Sequence, residues 1–194
     1  MIAVAAILLS GCSQVGAAAT VGGTKITQAT VQGSIDSILA ERAKVDTTQM
    51  QLDTGETLNR GQLRFHLFSA ILRALGEELK IKVTKAEIDT RRASIVEQVG
   101  GAASMPTALV NAGIAPEDLD AYIEAITLSD KISQALVASG VTEDQVGTEI
   151  QKLIVAKSKE LGVTVNPRYG KWDADTADIV AADPASSAVT PSDN

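Results

Sequence analysis

A chain of 194 residues with a formal charge of −7, 45% hydrophobic and only 3% aromatic residues is long enough for one domain with a real core. Its charge gives no argument for nucleic acid, and none is expected as a partner: Asp173, Asp175, Asp178, Asp183 and Asp193 lie beyond Lys171, and residues 1–172 are nearly balanced, with 17 basic against 19 acidic groups. One histidine and one cysteine leave no zinc-type ligand set and no disulfide framework.

The run Ile2-Ala3-Val4-Ala5-Ala6-Ile7-Leu8-Leu9 is apolar but far short of the roughly 20 residues that a spanning helix needs. It suits the core of a secretory signal, and small residues follow it up to a cysteine in Leu9-Ser10-Gly11-Cys12. That tetrad resembles the lipobox of bacterial lipoproteins. The resemblance implies cleavage between Gly11 and Cys12, lipid on the Cys12 thiol, and residence on the extracytoplasmic face of the cell membrane. No Lys or Arg precedes the apolar run, so an upstream start supplying one would complete the signal. A diacylated cysteine anchors stably where a single chain holds only marginally. Residues 1–11 are therefore read as signal peptide and 12–19 as a small, polar tether.

Thr20-Val21-Gly22-Gly23-Thr24-Lys25-Ile26 places β-branched residues around a Gly-Gly turn, the pattern of a short hairpin. Thr27 follows as an N-cap, and Val31, Ile35, Ile38 and Leu39 recur at helical spacing to about Lys44. Beyond a polar stretch over 45–55, Leu63, Leu67, Phe68, Ile71, Leu72, Leu75 and Leu79 predict the central core helix. Thr84-Lys85-Ala86-Glu87 reads as a capping box opening a third helix that ends at Gly100-Gly101. A short helix over 105–112, another from Pro116 to Gly140, and a last one begun by a second capping box, Thr142 to Gln145, complete the helical part. Val163-Thr164-Val165 is a short strand, and the Ala, Asp, Ser, Thr and Pro that dominate residues 174–194 predict a disordered acidic tail.

The inventory of reactive groups assigns no catalytic residue, no metal site and no cofactor. His66, which any Ser-His-Asp triad would have to use, sits between Phe65 and Leu67 on the central helix, where a packed histidine is expected. The Gly pairs 22–23 and 100–101 lack the spacing of a phosphate loop, so no nucleotide is expected. A local basic excess from Arg60 to Arg92 reads as a solvated helix surface, with anionic lipid headgroups as the sharper alternative.

Val21-Gly22-Gly23-Thr24-Lys25-Ile26-Thr27 followed by an amphipathic helix resembles the opening of the SurA-type chaperone N-terminal domain, with Gly22 where that pattern has Asn. Val163-Thr164-Val165-Asn166-Pro167-Arg168-Tyr169-Gly170-Lys171-Trp172-Asp173 is similar to the closing segment of lipoproteins of this kind from high-GC Gram-positive bacteria. The resemblance implies a mainly α fold over 20–173, with a small sheet of short N- and C-terminal strands, that binds unfolded or exported polypeptides. Tyr169 and Trp172 are expected to bury ring surface in closing the fold; the sharper alternative puts both in a peptide-contacting groove. Only one helix lies between Gly140 and Val163, which leaves no room for the parvulin module of such chaperones, and no isomerase activity is expected. The rival readings are an isomerase working without that module and a structural envelope lipoprotein with one specific partner. For the anchor, Cys12→Ser is expected to release the protein from the membrane or leave it unprocessed; normal processing with unchanged membrane retention, read by fractionation and mass spectrometry, contradicts lipidation.

Overall fold

The computed structural model describes residues 16–181. The lipobox, including Gly11 and Cys12, and the tail beyond 181 lie outside them. Strands β1 (Ala17–Val21) and β2 (Thr24–Thr27) form the expected hairpin. Helices α1 (Gln28–Arg42), α2 (Gly55–Glu78), α3 (Lys85–Gln98), α4 (Met105–Ala112), α5 (Leu119–Ala138) and α6 (Glu143–Leu161) follow, then strands β3 (Val163–Val165), β4 (Lys171–Asp173) and β5 (Asp178–Val180). The fold is mainly helical with a small antiparallel sheet built from both ends of the chain.

Helix α2 is the centre. Leu63, Leu67, Ile71, Leu72 and Leu75 are at most 2% exposed, each worth about 1.5–3 kcal/mol of burial. Ile35 and Ile38 of α1, Leu128 and Ile132 of α5, and Ile154 of α6 complete the same core. Helix α3 buries no residue fully; Ile88 and Ile95 pack on a satellite cluster of Leu109, Leu119 and Ile123. Its start carries the expected capping box, with Thr84 and Glu87 exchanging bonds. The Lys131 ammonium, 2.5 Å away, and the Thr84 bonds hold the Glu87 carboxyl at about 2, well below the usual range. The second capping box does not form: Thr142 is the N-cap of α6 but makes no side-chain cap bond, leaving the first-turn carboxylates Glu143 and Asp144 to favour the helix dipole.

The basic excess on α2 and α3 is largely paired. Arg73 meets Glu124 at 2.6 Å, Arg91 meets Asp130 at 3.3 Å, and Arg92 pairs with Asp120, so α5 supplies the counter-charges. The adjacent residues Glu77 and Glu78 diverge as helix geometry requires, and Glu78 pairs with Lys157 of α6. Lys157 is only 7% exposed. Glu160, at 2.6 Å, and Glu78 raise its pKa above the ordinary lysine value.

β1 lies between β2 and β3, so the chain ends meet in one sheet, with Ala19 opposite Val165 and Val21 opposite Val163. Gly22 turns the hairpin at φ +56°, a left-handed conformation that Gly and Asn tolerate. After β3, Asn166 bonds Ala18 O through its backbone and Ala17 O through its side chain. Pro167, lacking an N–H, opens a 3-10 turn that ends the pairing.

Residues 174–181, expected to belong to a disordered tail, do not leave the fold: β5 pairs with β4, Trp172 opposite Ile179. Ile179 is 2% exposed, and Arg64 of α2 holds Asp178 at 2.5 Å. Gln151 and Lys159 of α6 bind Thr176 O and Asp175 in the turn, so Asp175 and Asp178, two of the aspartates read as tail acidity, have structural partners. Gly170 makes this hairpin fit. Its φ is +124°, and a Cβ there would lie 2.3 Å from Val180 O. Gly170→Ala is expected to cost about 1–3 kcal/mol, read as a lowered urea midpoint with unchanged slope; an unaltered midpoint contradicts this fit.

Candidate functional site

A cleft of about 330 Å³ opens beside the N-terminal half of α2, within the size range of binding pockets. Its floor is α2, through Leu58, Gly61, Gln62 and Phe65. One wall is Arg42 at the end of α1 with the loop residues Gln51, Leu52 and Asp53. The other is the turn from α4 into α5, from Val110 to Ala115, with Asp118 and Tyr122 also in the lining.

Local chemistry holds these walls apart. The buried Gln62 side chain donates to Gly113 O at 2.9 Å, fixing the α4 turn on α2. Arg42 Nη1 donates to Asp53 O at 2.7 Å, tying the loop to α1. The covered Nε of Arg42 has no hydrogen-bond partner among the described residues, a loss of about 1–3 kcal/mol. Gly61 leaves room in the floor: a Cβ there would meet nothing within 4 Å. A helix-interior glycine costs about 1 kcal/mol relative to alanine, and packing against a neighbour does not account for this one.

The α5 end is fastened by serines. Ser37 donates to Glu117 at 2.6 Å, and Ser34, three residues earlier on the same face of α1, donates to Asp118 Oδ2 at 2.6 Å. Ser34 Oγ also lies 3.0 Å from His66 Nε2. Asp118 at 2.6 Å takes the hydroxyl proton in preference to Thr30 O at 3.3 Å, and Ser34 then accepts from His66, which assigns the imidazole proton to Nε2. Serine, histidine and aspartate thus meet, but in the wrong order for nucleophilic catalysis. In a triad the imidazole stands between the other two and takes the serine proton; here the carboxylate takes it directly, and Ser34 is 3% exposed. The cluster fixes Asp118 in the lining of the cleft.

The two aromatics proposed from sequence are elsewhere. Tyr169 is 5% exposed in the main core, with the Arg168 guanidinium 5.4 Å from its ring centre. The Tyr169 ring is packed into that core. Trp172 is half-buried against the same core, and neither residue lines the cleft. The cleft residues carried no sequence signal: Arg42, Gly61 and Asp118 are single residues brought together from separate elements. Among the described residues no helix is long and apolar enough to cross a membrane, and no three His, Cys, Asp or Glu side chains are grouped to hold a metal ion. Comparison with family models, curated protein sequences and solved structures gives no match.

Burial pushes the His66 pKa below the ordinary value of 6.5; the Asp118 carboxylate opposes that shift and Arg73 adds to it. As pH falls the unfolded chain therefore takes the proton first. This contribution to stability is complete above 6.5 and is lost as pH drops through the lower folded-state value. His66→Gln keeps a donor for Ser34 and is expected to flatten the dependence of unfolding free energy on pH below about 6.5; the same slope in both proteins, from urea titrations, contradicts a buried neutral His66.

Proposed function

We propose that the chain is a membrane-anchored, extracytoplasmic lipoprotein that binds unfolded or exported polypeptides, with no catalytic step. The observation that carries this reading is the cleft over α2, whose floor alternates apolar surface (Leu58, Phe65) with the open space at Gly61. Such a lining accepts varied side chains through apolar contact and specifies none of them tightly. The unpaired donor of Arg42 supports a polypeptide ligand, because a main-chain carbonyl reaching it after a small shift of the guanidinium would satisfy it. The resemblance of Val21–Thr27 and Val163–Asp173 to the SurA-type domain supports the same reading, and the lipobox ending at Cys12 supports the anchor and the extracytoplasmic location.

The test is suppression of aggregation. The full chain in mild detergent is expected to reduce light scattering from a chemically unfolded exported protein at near-stoichiometric ratio. Gly61→Leu fills the cleft without harming helix propensity and is expected to lose most of that effect. Gly33→Leu on α1, where a Cβ also meets open space but outside the cleft, is expected to keep it. Absence of suppression by the parent chain, or equal suppression by both variants, contradicts the assignment.

A further inference from the structure

We propose that the cleft selects polypeptide segments bearing a lysine or arginine side chain, whose cationic head is received by Asp118. This rests on the polypeptide-binding reading above and adds a chemical preference to it.

Three observations carry the preference. The first is the charge of the lining: Arg42 stands against Asp53 and Asp118, a surplus of one carboxylate.

The second is how Asp118 is held. It lies in the opening turn that Pro116 starts and that runs into α5, with helical backbone, φ −89° and ψ −3°, and its carboxylate is drawn to Ser34 while lining the cleft. The side chain is 15% exposed. Ser34 donates to Oδ2 at 2.6 Å and itself lies 3.0 Å from His66 Nε2, so the carboxylate's orientation is set before any ligand arrives.

The third is the approach to it. Tyr122, one helical turn beyond Asp118, and Phe65 on α2 also line the cleft. An aliphatic stem with a charged tip suits a lining that holds both rings and a carboxylate: its methylenes cover the rings, its head meets the carboxylate, and the ring faces themselves attract a cation. An acidic side chain would meet Asp118 with the same sign of charge. A purely apolar one would cover the carboxylate without pairing it, which is unfavourable.

The experiment uses fluorescent extended peptides of about nine residues, identical except for one central lysine, norleucine or glutamate, titrated into the full chain in mild detergent. The lysine peptide is expected to bind about fivefold or more tightly than the norleucine peptide, the range of a partly shielded ion pair. Asp118→Asn keeps an oxygen for the Ser34 proton and is expected to bring the two affinities within about twofold, while Gly61→Leu weakens both peptides. Equal or tighter binding of the norleucine or glutamate peptide, still sensitive to Gly61→Leu, overturns the cation preference and leaves the polypeptide-binding reading intact. A lysine preference that survives Asp118→Asn also overturns it, since the charge is then read elsewhere. Failure of all three peptides to bind removes both readings.

Discussion

An α-helix that buries its stripe from Leu58 to Leu75 must be covered along about 25 Å of its length, and the cover comes from several directions at once. α1 closes one side, α5 and α6 close others, and β1 with the β4–β5 hairpin lies against the remainder. Each neighbour contributes a few side chains to one continuous core. The arrangement explains why so many polar ties run to or across α2: Arg64 to Asp178, Arg73 to Glu124, Glu78 to Lys157 and Gln62 to Gly113. Exposed ion pairs are individually weak, so these fix where each element sits more than they add stability. The apolar stripe supplies the energy.

The cleft is where that cover stops short. Near its N-terminus α2 carries Gly61 instead of a large side chain, and the segment from Lys44 to Thr54 crosses as irregular chain, without a helix to press on it. The opening is therefore built by two departures from good helix packing, a missing side chain and a missing neighbour. Both would be repaired cheaply, by alanine at 61 or by apolar residues in the loop. Their presence concentrates two locally unfavourable choices at one place, a pattern that fits the binding role proposed above.

Much of the fold was legible because it is written in repeated signals. The 3.6-residue recurrence through Leu63, Leu67, Ile71 and Leu75, the Thr84–Glu87 box and the Pro116 start each mark an element several times over. The meeting of the chain ends was legible for a related reason, since two short β-branched runs flank an otherwise helical chain. What escaped carries one signal or none. β5 is three residues long with Ile179 as its single buried side chain, set among aspartates that read as solvated tail until Arg64 and Lys159 are seen to hold Asp178 and Asp175. Thr142 shows the converse, a sequence match for a capping box whose side chain makes no cap bond. Ser34, His66 and Asp118 come from three elements, and nothing in their spacing announces that they meet.

The position of β1 bears on how such a domain is held. On the anchoring proposed above, four peptide units separate Cys12 from Gly16, a reach of at most about 14 Å. Any pull from the membrane then passes into β1 at Ala17. A strand at the sheet edge could peel away one ladder at a time, but β1 is the middle strand, bonded to β2 on one side and β3 on the other. Ala17, Ala18 and Ala19 are at most 5% exposed, and Gly16 O and Ala17 O are engaged by the start of α1 and by Asn166. Load applied there is shared between the first hairpin and the segment that closes the chain 144 residues later, where Thr20 faces Thr164. The terminal strands thus complete the helical core and, in the same contacts, give a short tether a firm point of attachment.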